Sequence, residues 1–303
     1  MITANHITKS FSGHTALKDV SVQIPSNTIF GLLGPNGAGK TTFIRIINRI
    51  IGPDNGTIHL NNEPLNVSHT ERIGYLPEER GLYKKMKVGE QALYLARLKG
   101  LKRKDALKRL KFWFEKFEIE EWWNKKVEEL SKGMQQKVQF IITVVHQPEL
   151  LIFDEPFTGF DPINTRLIRN EILDMKKNGA TIILSTHNME SVEELCDHIA
   201  LINRAEVILE GGVKEIRNRF KPDVFEIIFE GNLVSFTSAL WTGFELLEHN
   251  TEDNLIKARV RSLNNSSAND LLGSVLPAVK IHSFSEVLPR MSDIFIKVVK
   301  DCS

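Results

Sequence analysis

Residues 28–52 read "TIFGLLGPNGAGKTTFIRIINRIIG". The opening "TIFGLLG" is an apolar run bounded by turn residues, the pattern of a strand. From Gly34 to Thr41 the text becomes "GPNGAGKT", which fits the P-loop spacing GxxxxGK[ST] in full. The apolar spacing then turns helical and stops at Gly52-Pro53. Strand, glycine-rich loop and helix in that order make a phosphate cradle. Glycines at 34, 37 and 39 let successive backbone N–H groups curl around phosphate oxygens, and Pro35, Asn36 and Ala38 complete the loop. The helix start at Lys40, Thr41 and Thr42 adds a favourable dipole. Lys40 is expected to reach the β- and γ-phosphates, and the Thr41 hydroxyl to ligate Mg²⁺. The bland alternative, a glycine-rich turn with a chance lysine, is disfavoured by the flanking strand and helix.

Residues 150–159, "LLIFDEPFTG", carry an apolar run into two adjacent carboxylates, Asp154 and Glu155. Like charges side by side resist desolvation, so something positive is required there. A P-loop protein needs a carboxylate at the tip of a neighbouring strand to hold Mg²⁺, which suits Asp154; Glu155 beside it can polarise an attacking water. Alone, this acidic pair would read equally as a solvated turn. "LSKGMQQK" at 130–137 places Ser131 and Gly133 at a helix start, where free N–H groups bind an anion, although Ser131 also serves as a plain helix cap. "IILSTHNMESVEEL" ends a strand at Ser185, Thr186 and His187. A histidine there is either a loop residue or, if its strand lies parallel to that of Asp154, a group facing the γ-phosphate.

The bulk properties bound these readings. The chain has 303 residues, enough for two domains, and 39 basic against 38 acidic residues leave a net charge of +1. That balance does not support a nucleic-acid-coating protein, and no nucleic-acid partner is expected. Two cysteines, Cys196 and Cys302, give neither a disulfide framework nor a cysteine metal site, and fit a reducing cytoplasm. The start, "MITANHITKSFSGH", has no apolar signal core, and no stretch approaches the ~18 apolar residues of a membrane span. Any membrane span is expected from another chain.

Residues 1–32 alternate as strands, and "NGTIHLNNEPL" reads as a hairpin. Residues 71–85 read as polar and turn-rich. From about 86 to 146 the pattern is helical, a separate lobe whose aromatics in "FWFEKFEIEEWW" are expected in its core. Strands and helices then alternate, predicting a largely parallel sheet covered by helices. Pro222 marks a boundary. After it, strand patterns at 224–230, 244–249, 255–261 and 279–284 interleave with helical ones near 233–241, 267–276 and 288–300. This predicts a small α+β domain over 223–303, with a ferredoxin-like order as one candidate. Its 11 acidic and 7 basic residues make it a poor nucleic-acid arm.

Over residues 1–220 these motifs resemble the nucleotide-binding subunit of an ATP-binding cassette (ABC) transporter. "GPNGAGKTT" matches the family's Walker A motif, "LLIFDEP" its Walker B, and "LSKGM" its signature at Leu130, Ser131 and Gly133. "FTGFDP" resembles the D-loop, with Asp161 in place; His187 matches the switch histidine; Phe11 sits where the family stacks an aromatic on adenine. The resemblance implies an α/β P-loop cassette: a mixed sheet with helices, N-terminal antiparallel strands and a helical subdomain, plus the C-terminal α+β domain. It further implies an ATPase with ATP and Mg²⁺ as cofactors, working with a second cassette subunit, identical or closely homologous. Ser131 and Gly133 would then touch the phosphate bound in the partner.

Two departures stand out. Lys132 and Met134 replace a glycine and a glutamine of the commonest signature. Glu78, in "GYLPEERGLY", stands where the family has the Q-loop glutamine that approaches Mg²⁺ and the water, so the resemblance implies a catalytic and metal-facing role for it, its carboxylate meeting the hard cation through oxygen. The stretch "PEERGLYKKMKVGEQ" and the tail "SFSEVLPRMSDIFIKVV" resemble cassettes paired with ABC-2-type permeases, including sodium- and drug-export ATPases. An integral-membrane permease partner and a place on the cytoplasmic face of the cell membrane follow from that resemblance. Leu82-Tyr83 and Lys84-Lys85 are the candidate permease surface, or else an exposed basic loop. Two alternatives stay open: a soluble ABC ATPase acting on ribosomes or DNA, and a non-catalytic regulatory cassette. The transported substrate is not legible.

Overall fold

The computed structural model describes residues 1–303 except 80, 253, 265 and 303. Two compact units divide it: Met1–Val213, to which Val298–Ser303 are also assigned, and Lys214–Lys297.

The first unit begins with β1 (Ile2–Phe11) and β2 (His14–Ile24), an antiparallel pair. β3 (Ile29–Leu33) leads through the glycine loop into α1 (Lys40–Ile47). The hairpin β4 (Asn55–Leu60) and β5 (Glu63–Pro64) joins the first pair in a four-stranded sheet of order β2-β1-β4-β5. After β6 (Ile73–Leu76) comes the helical stretch α2 (Val88–Leu98), α3 (Arg103–Lys116) and α4 (Lys132–Val144). Then β7 (Leu150–Asp154), α5 (Pro162–Lys177), β8 (Thr181–Ser185), α6 (Met189–Leu195), β9 (His198–Asn203) and β10 (Glu206–Gly212) complete the unit.

The central sheet has the order β10-β9-β3-β8-β7-β6; β10 is antiparallel to β9 and the other pairings are parallel. Every residue of β3, β7 and β8 is buried. That is why these strands read as continuous apolar runs rather than alternating ones. One face, through Phe30, Leu32, Ile152 and Ile183, packs with Phe43, Ile44 and Ile47 of α1 and with Ile7 and Val20 of the antiparallel sheet. On the other face Phe153 stacks on Phe140 of α4 at 5.6 Å, and Phe140 on Phe117 at 5.7 Å. Burying each such ring stabilises the fold by roughly 1.5–3 kcal/mol.

Topology then sets the site. Because β8 lies between β3 and β7 and all three run parallel, their carboxyl ends emerge side by side. In open parallel sheets ligands bind in that crevice. The three tips here are the glycine loop, the Asp154–Glu155 pair and the Ser185–His187 turn.

The sequence reading missed β6. "IGYL" sits in the section expected to be turns, yet it pairs parallel with β7 from Ile73↔Leu150 to Leu76↔Phe153. Four residues carry too short a period to detect, and a long-range partner defines the strand. The aromatic run is also only partly core: Phe114 and Phe117 are buried, but Phe112 is 56% exposed.

The second unit follows α7 (Val213–Arg219) with β11 (Val224–Glu230), α8 (Leu233–Ala239), β12 (Phe244–Glu252), β13 (Leu255–Ser262), α9 (Ala268–Val275), β14 (Lys280–Glu286) and α10 (Met291–Asp301). Its sheet is antiparallel with the order β12-β13-β11-β14. Phe236, Ala239, Leu271 and Val275 of α8 and α9 bury its Ile227, Phe229, Ala258 and Val260. The division falls at Val213 rather than Pro222. Residues 217–221 are tied to 286–297: Arg217 Nε donates to the Pro289 carbonyl at 2.9 Å, Lys221 pairs with Glu286, and the Lys297 ammonium lies over the Phe220 ring.

His146, just past α4, lines a cavity of about 450 Å³ with Tyr75, Lys99 and Thr143. Burial pushes its imidazole down to about 4, and the charges of Lys99 and Arg109 push the same way. The unfolded chain takes up this proton near the ordinary value of about 6.5. Stability tied to a neutral His146 is therefore complete above that value and lost as pH falls towards 4. The full loss has a ceiling of about 3 kcal/mol. We expect His146→Phe to lose less stability than the parent protein between about pH 7 and 4.5, by about 2 kcal/mol in denaturant titrations. Parallel pH profiles would contradict this assignment.

Candidate functional site

Gly34 has φ 148°, and a Cβ there would lie 2.2 Å from the Ile202 carbonyl oxygen, so only glycine lets the loop leave β3 alongside β9. Gly39 has φ 116°, and its Cβ would meet the Ala16 carbonyl oxygen at 2.3 Å. These constraints hold the loop tight, with the Ala38 N–H donating to the Pro35 carbonyl at 3.2 Å. The first backbone bond of this turn is Phe43 N–H to the Gly39 carbonyl at 3.0 Å. The N–H groups just before it point out of the helix end, as such starts require. Lys40 is only 8% exposed and its ammonium donates to the Gly34 carbonyl at 2.7 Å and the Pro35 carbonyl at 3.0 Å. Burial lowers its proton affinity, while Glu155, Asp154 and Glu78 act in the opposite direction.

Across the crevice, Asp154 is 3% exposed, and its Oδ2 has no hydrogen-bond partner among the described residues. Burial raises its carboxyl above the usual range; the adjacent Ser185 hydroxyl opposes that, the negative charges of Glu78 and Glu155 add to it, and Lys40 opposes it. Glu155 has φ 50°, a left-handed backbone that a glutamate adopts only when its surroundings impose it. Its N–H donates to the Ser185 carbonyl at 2.9 Å, and its carboxylate accepts from the Thr186 hydroxyl at 3.3 Å and the His187 N–H at 3.0 Å. The His187 ring Nδ1 lies 2.6 Å from Glu155 Oε1. The tips of β7 and β8 are thus locked together through one carboxylate.

Lys40, Thr41, Thr42, Asn36, Gly37 and Gly39 line one cleft of about 470 Å³. Glu78, Asp154, Glu155, His187 and Phe11 line the same cleft. Phe11 is 45% exposed, with the Lys9 ammonium 5.5 Å from its ring centroid. Gly34, Pro35 and Ala38 shape the loop from behind. Ser131, Gly133 and Asp161 are not among the residues lining it. The Ser131 hydroxyl caps α4, accepting from the Met134 N–H at 3.3 Å, and Asp161 caps α5, accepting from the Asn164 N–H at 2.9 Å. The latter bond holds the Asp161 carboxyl below its usual range. His14 also lines the cleft and was not singled out from the sequence. Its position three residues after Phe11, across the β1–β2 turn, was the available signal.

Among the described residues, no three His, Cys, Asp or Glu side chains converge as a ready-made metal cage. The donor set instead suits a hard cation that takes one carboxylate and one hydroxyl from the protein and its remaining oxygens from phosphate and water, as Mg²⁺ does. Asp154 Oδ2, buried without a partner, and the Thr41 hydroxyl fit that requirement.

A glycine cradle at a strand–helix junction facing a buried carboxylate defines a P-loop nucleotide-hydrolysing cassette. The family model described as "ABC transporter" matches residues 17–158, and that described as "ATP-binding protein DrrA1-3-like, C-terminal domain" matches residues 211–299. The chain is 48% identical over 220 residues to an uncharacterized ABC transporter ATP-binding protein, YhaQ, of Bacillus subtilis, covering 73% of this chain and 74% of that one. It is 32% identical to the linearmycin resistance ATP-binding protein LnrL of the same organism, covering 79% and 78%. Among solved structures it resembles an ATP-binding subunit of an ABC transporter (TM-score 0.68, 29% identity, 73% of this chain and 93% of that one). It also shares the fold of the dimeric bacterial ABC transporter cassette MJ0796 (TM-score 0.64, 23% identity, 70% and 99%). The chain belongs to the ABC transporter ATP-binding proteins and is an ATPase. No helix among its described residues is long and apolar enough to cross a membrane.

Proposed function

We propose that this chain binds ATP with Mg²⁺ in the cleft between Lys40 and Asp154, hydrolyses it as one of a pair of cassettes, and drives a separate ABC-2-type permease in export from the cytoplasmic face of the membrane. The observation that carries the site is the buried, partnerless Asp154 oxygen opposite the P-loop lysine. A buried carboxylate oxygen that no protein group satisfies, at the mouth of a cleft facing a lysine, is a place where a bound cation completes the bonding.

The residues divide the work. N–H groups at the start of α1 hold the phosphates, and Lys40 exchanges its two carbonyl partners for phosphate oxygens. Thr41 and Asp154 would hold the cation, which would supply charge neutralisation for the transferring phosphoryl group. Glu155 orients and polarises the attacking water, and His187, in contact with it, holds that carboxylate towards the γ-phosphate. Phe11 offers its exposed face to the adenine. Ser131, Gly133 and Asp161 lie outside the cleft because they serve the facing copy: Ser131 and Gly133 close over its γ-phosphate.

The export reading is supported by the DrrA-like match over residues 211–299 and by the similarity to a resistance protein. The pairing is supported by the dimeric cassette of the same fold. The permease would be met at Leu82-Tyr83 and Lys84-Lys85, where Tyr83 is 56% exposed. Light scattering on the purified chain tests the core of this reading. A monomer without nucleotide should double its mass with ATP and Mg²⁺ under conditions that stall hydrolysis. A mass that ignores saturating nucleotide would sink the paired-cassette mechanism.

A further inference from the structure

The cleft holds more negative charge than phosphate binding calls for. Three carboxylates, Glu78, Asp154 and Glu155, line it together with one lysine, Lys40, and two histidines, His14 and His187. Asp154 is accounted for by the cation, and Glu155 by the water and by its bonds to Thr186 and His187. Glu78, expected from the family resemblance to face the cation, is held by no bond of that kind. It is exposed, lies on the segment after β6, lines the same cleft, and makes no hydrogen bond or ion pair among the described residues. Its field nonetheless reaches the machinery. It acts on Lys40, on Asp154 and on Tyr75, whose hydroxyl is pushed up to about 12 by burial first and by these carboxylates in addition.

We propose that Glu78 is a selectivity-determining residue that makes nucleotide entry conditional on the divalent cation, disfavouring the metal-free triphosphate relative to its magnesium complex. The inference rests on the nucleotide reading of the cleft and adds a selectivity to it. Free triphosphate is a multiply charged anion; the loop N–H groups and Lys40 attract it, but three carboxylates in the same lining oppose it. The magnesium complex carries less negative charge and presents a cation towards the carboxylates, so the same Glu78 charge that repels one form is neutral or favourable to the other. A glutamine here would keep the oxygen ligand but lose the charge, and with it the discrimination.

The test is the ratio of two dissociation constants for the β,γ-imido analogue of ATP, which is not turned over: one with EDTA and one with saturating Mg²⁺, both by calorimetry at low salt. One unit charge acting across such a cleft is worth about tenfold in affinity. Glu78→Gln should lower the EDTA-to-Mg²⁺ ratio about tenfold, mainly by tightening the metal-free form. Glu79→Gln is the control: Glu79 is the exposed neighbour and is not among the residues lining the cleft. It should leave the ratio within about twofold. An unchanged ratio in Glu78→Gln, or an equal change in Glu79→Gln, overturns the inference and leaves the nucleotide site standing. Failure of the parent protein to bind the magnesium complex at all overturns the site and the inference together.

Discussion

Glu155→Gln should lower the turnover of ATP by about 10²- to 10⁴-fold, the usual worth of a positioned proton acceptor, while affinity for the magnesium complex of the nucleotide stays within about twofold. The structure explains why this residue should carry so large an effect. Glu155 is held at a left-handed φ of 50° by its N–H bond to Ser185, and its carboxylate is fixed from two sides by Thr186 and His187. Such backbone strain costs on the order of 1–3 kcal/mol and persists where the surrounding structure over-determines it, as the bonds to Ser185, Thr186 and His187 do here. A glutamine has the same reach and can still accept the His187 N–H bond, so the fold should survive. What is lost is negative charge facing the water. Phosphate release in single turnover, with nucleotide binding measured in parallel, separates the two effects. Activity within tenfold of the parent protein would mean that the base is elsewhere.

The motifs that depend on local chemistry were legible in the sequence. The glycine loop announces itself because its backbone needs glycine at 34 and 39, where a Cβ would strike a neighbouring carbonyl. The Asp154–Glu155 tip stands out because two charges follow a fully buried strand. The tail's strands and helices showed in their own periods because its antiparallel sheet buries one face and alternates. What could not be read was made by partners distant in sequence. β6 exists because β7 pairs with it, and His14 enters the cleft because the β1–β2 turn carries it there. Ser131 shows the limit from another direction. Helix cap and phosphate ligand require the same residue type at the same helix start, and in the single chain the hydroxyl caps α4. Only a facing copy with nucleotide between them distinguishes the second use.

Lys40→Met should weaken nucleotide binding by about 100-fold, since bonds from an ammonium to a charged acceptor contribute about 1.5–3 kcal/mol each. Its effect on the nucleotide-free fold should be small, and the two results are linked. In the free chain Lys40 is only 8% exposed and its ammonium sits against two backbone carbonyls, a position that burial disfavours and the carboxylates of the cleft only partly offset. Methionine of similar length removes two hydrogen bonds and, with them, the cost of keeping a charge out of water; the two changes act in opposite directions. The melting temperature of the free protein should therefore move by no more than a few degrees. The parent protein should then gain about 2.7 kcal/mol when nucleotide is present at a hundred times its dissociation constant, and Lys40→Met at that same concentration less than about 0.5 kcal/mol. Equal stabilisation of both proteins would show that the phosphates are held without Lys40, and the cleft between the β3 loop and Asp154 would lose its claim to the nucleotide.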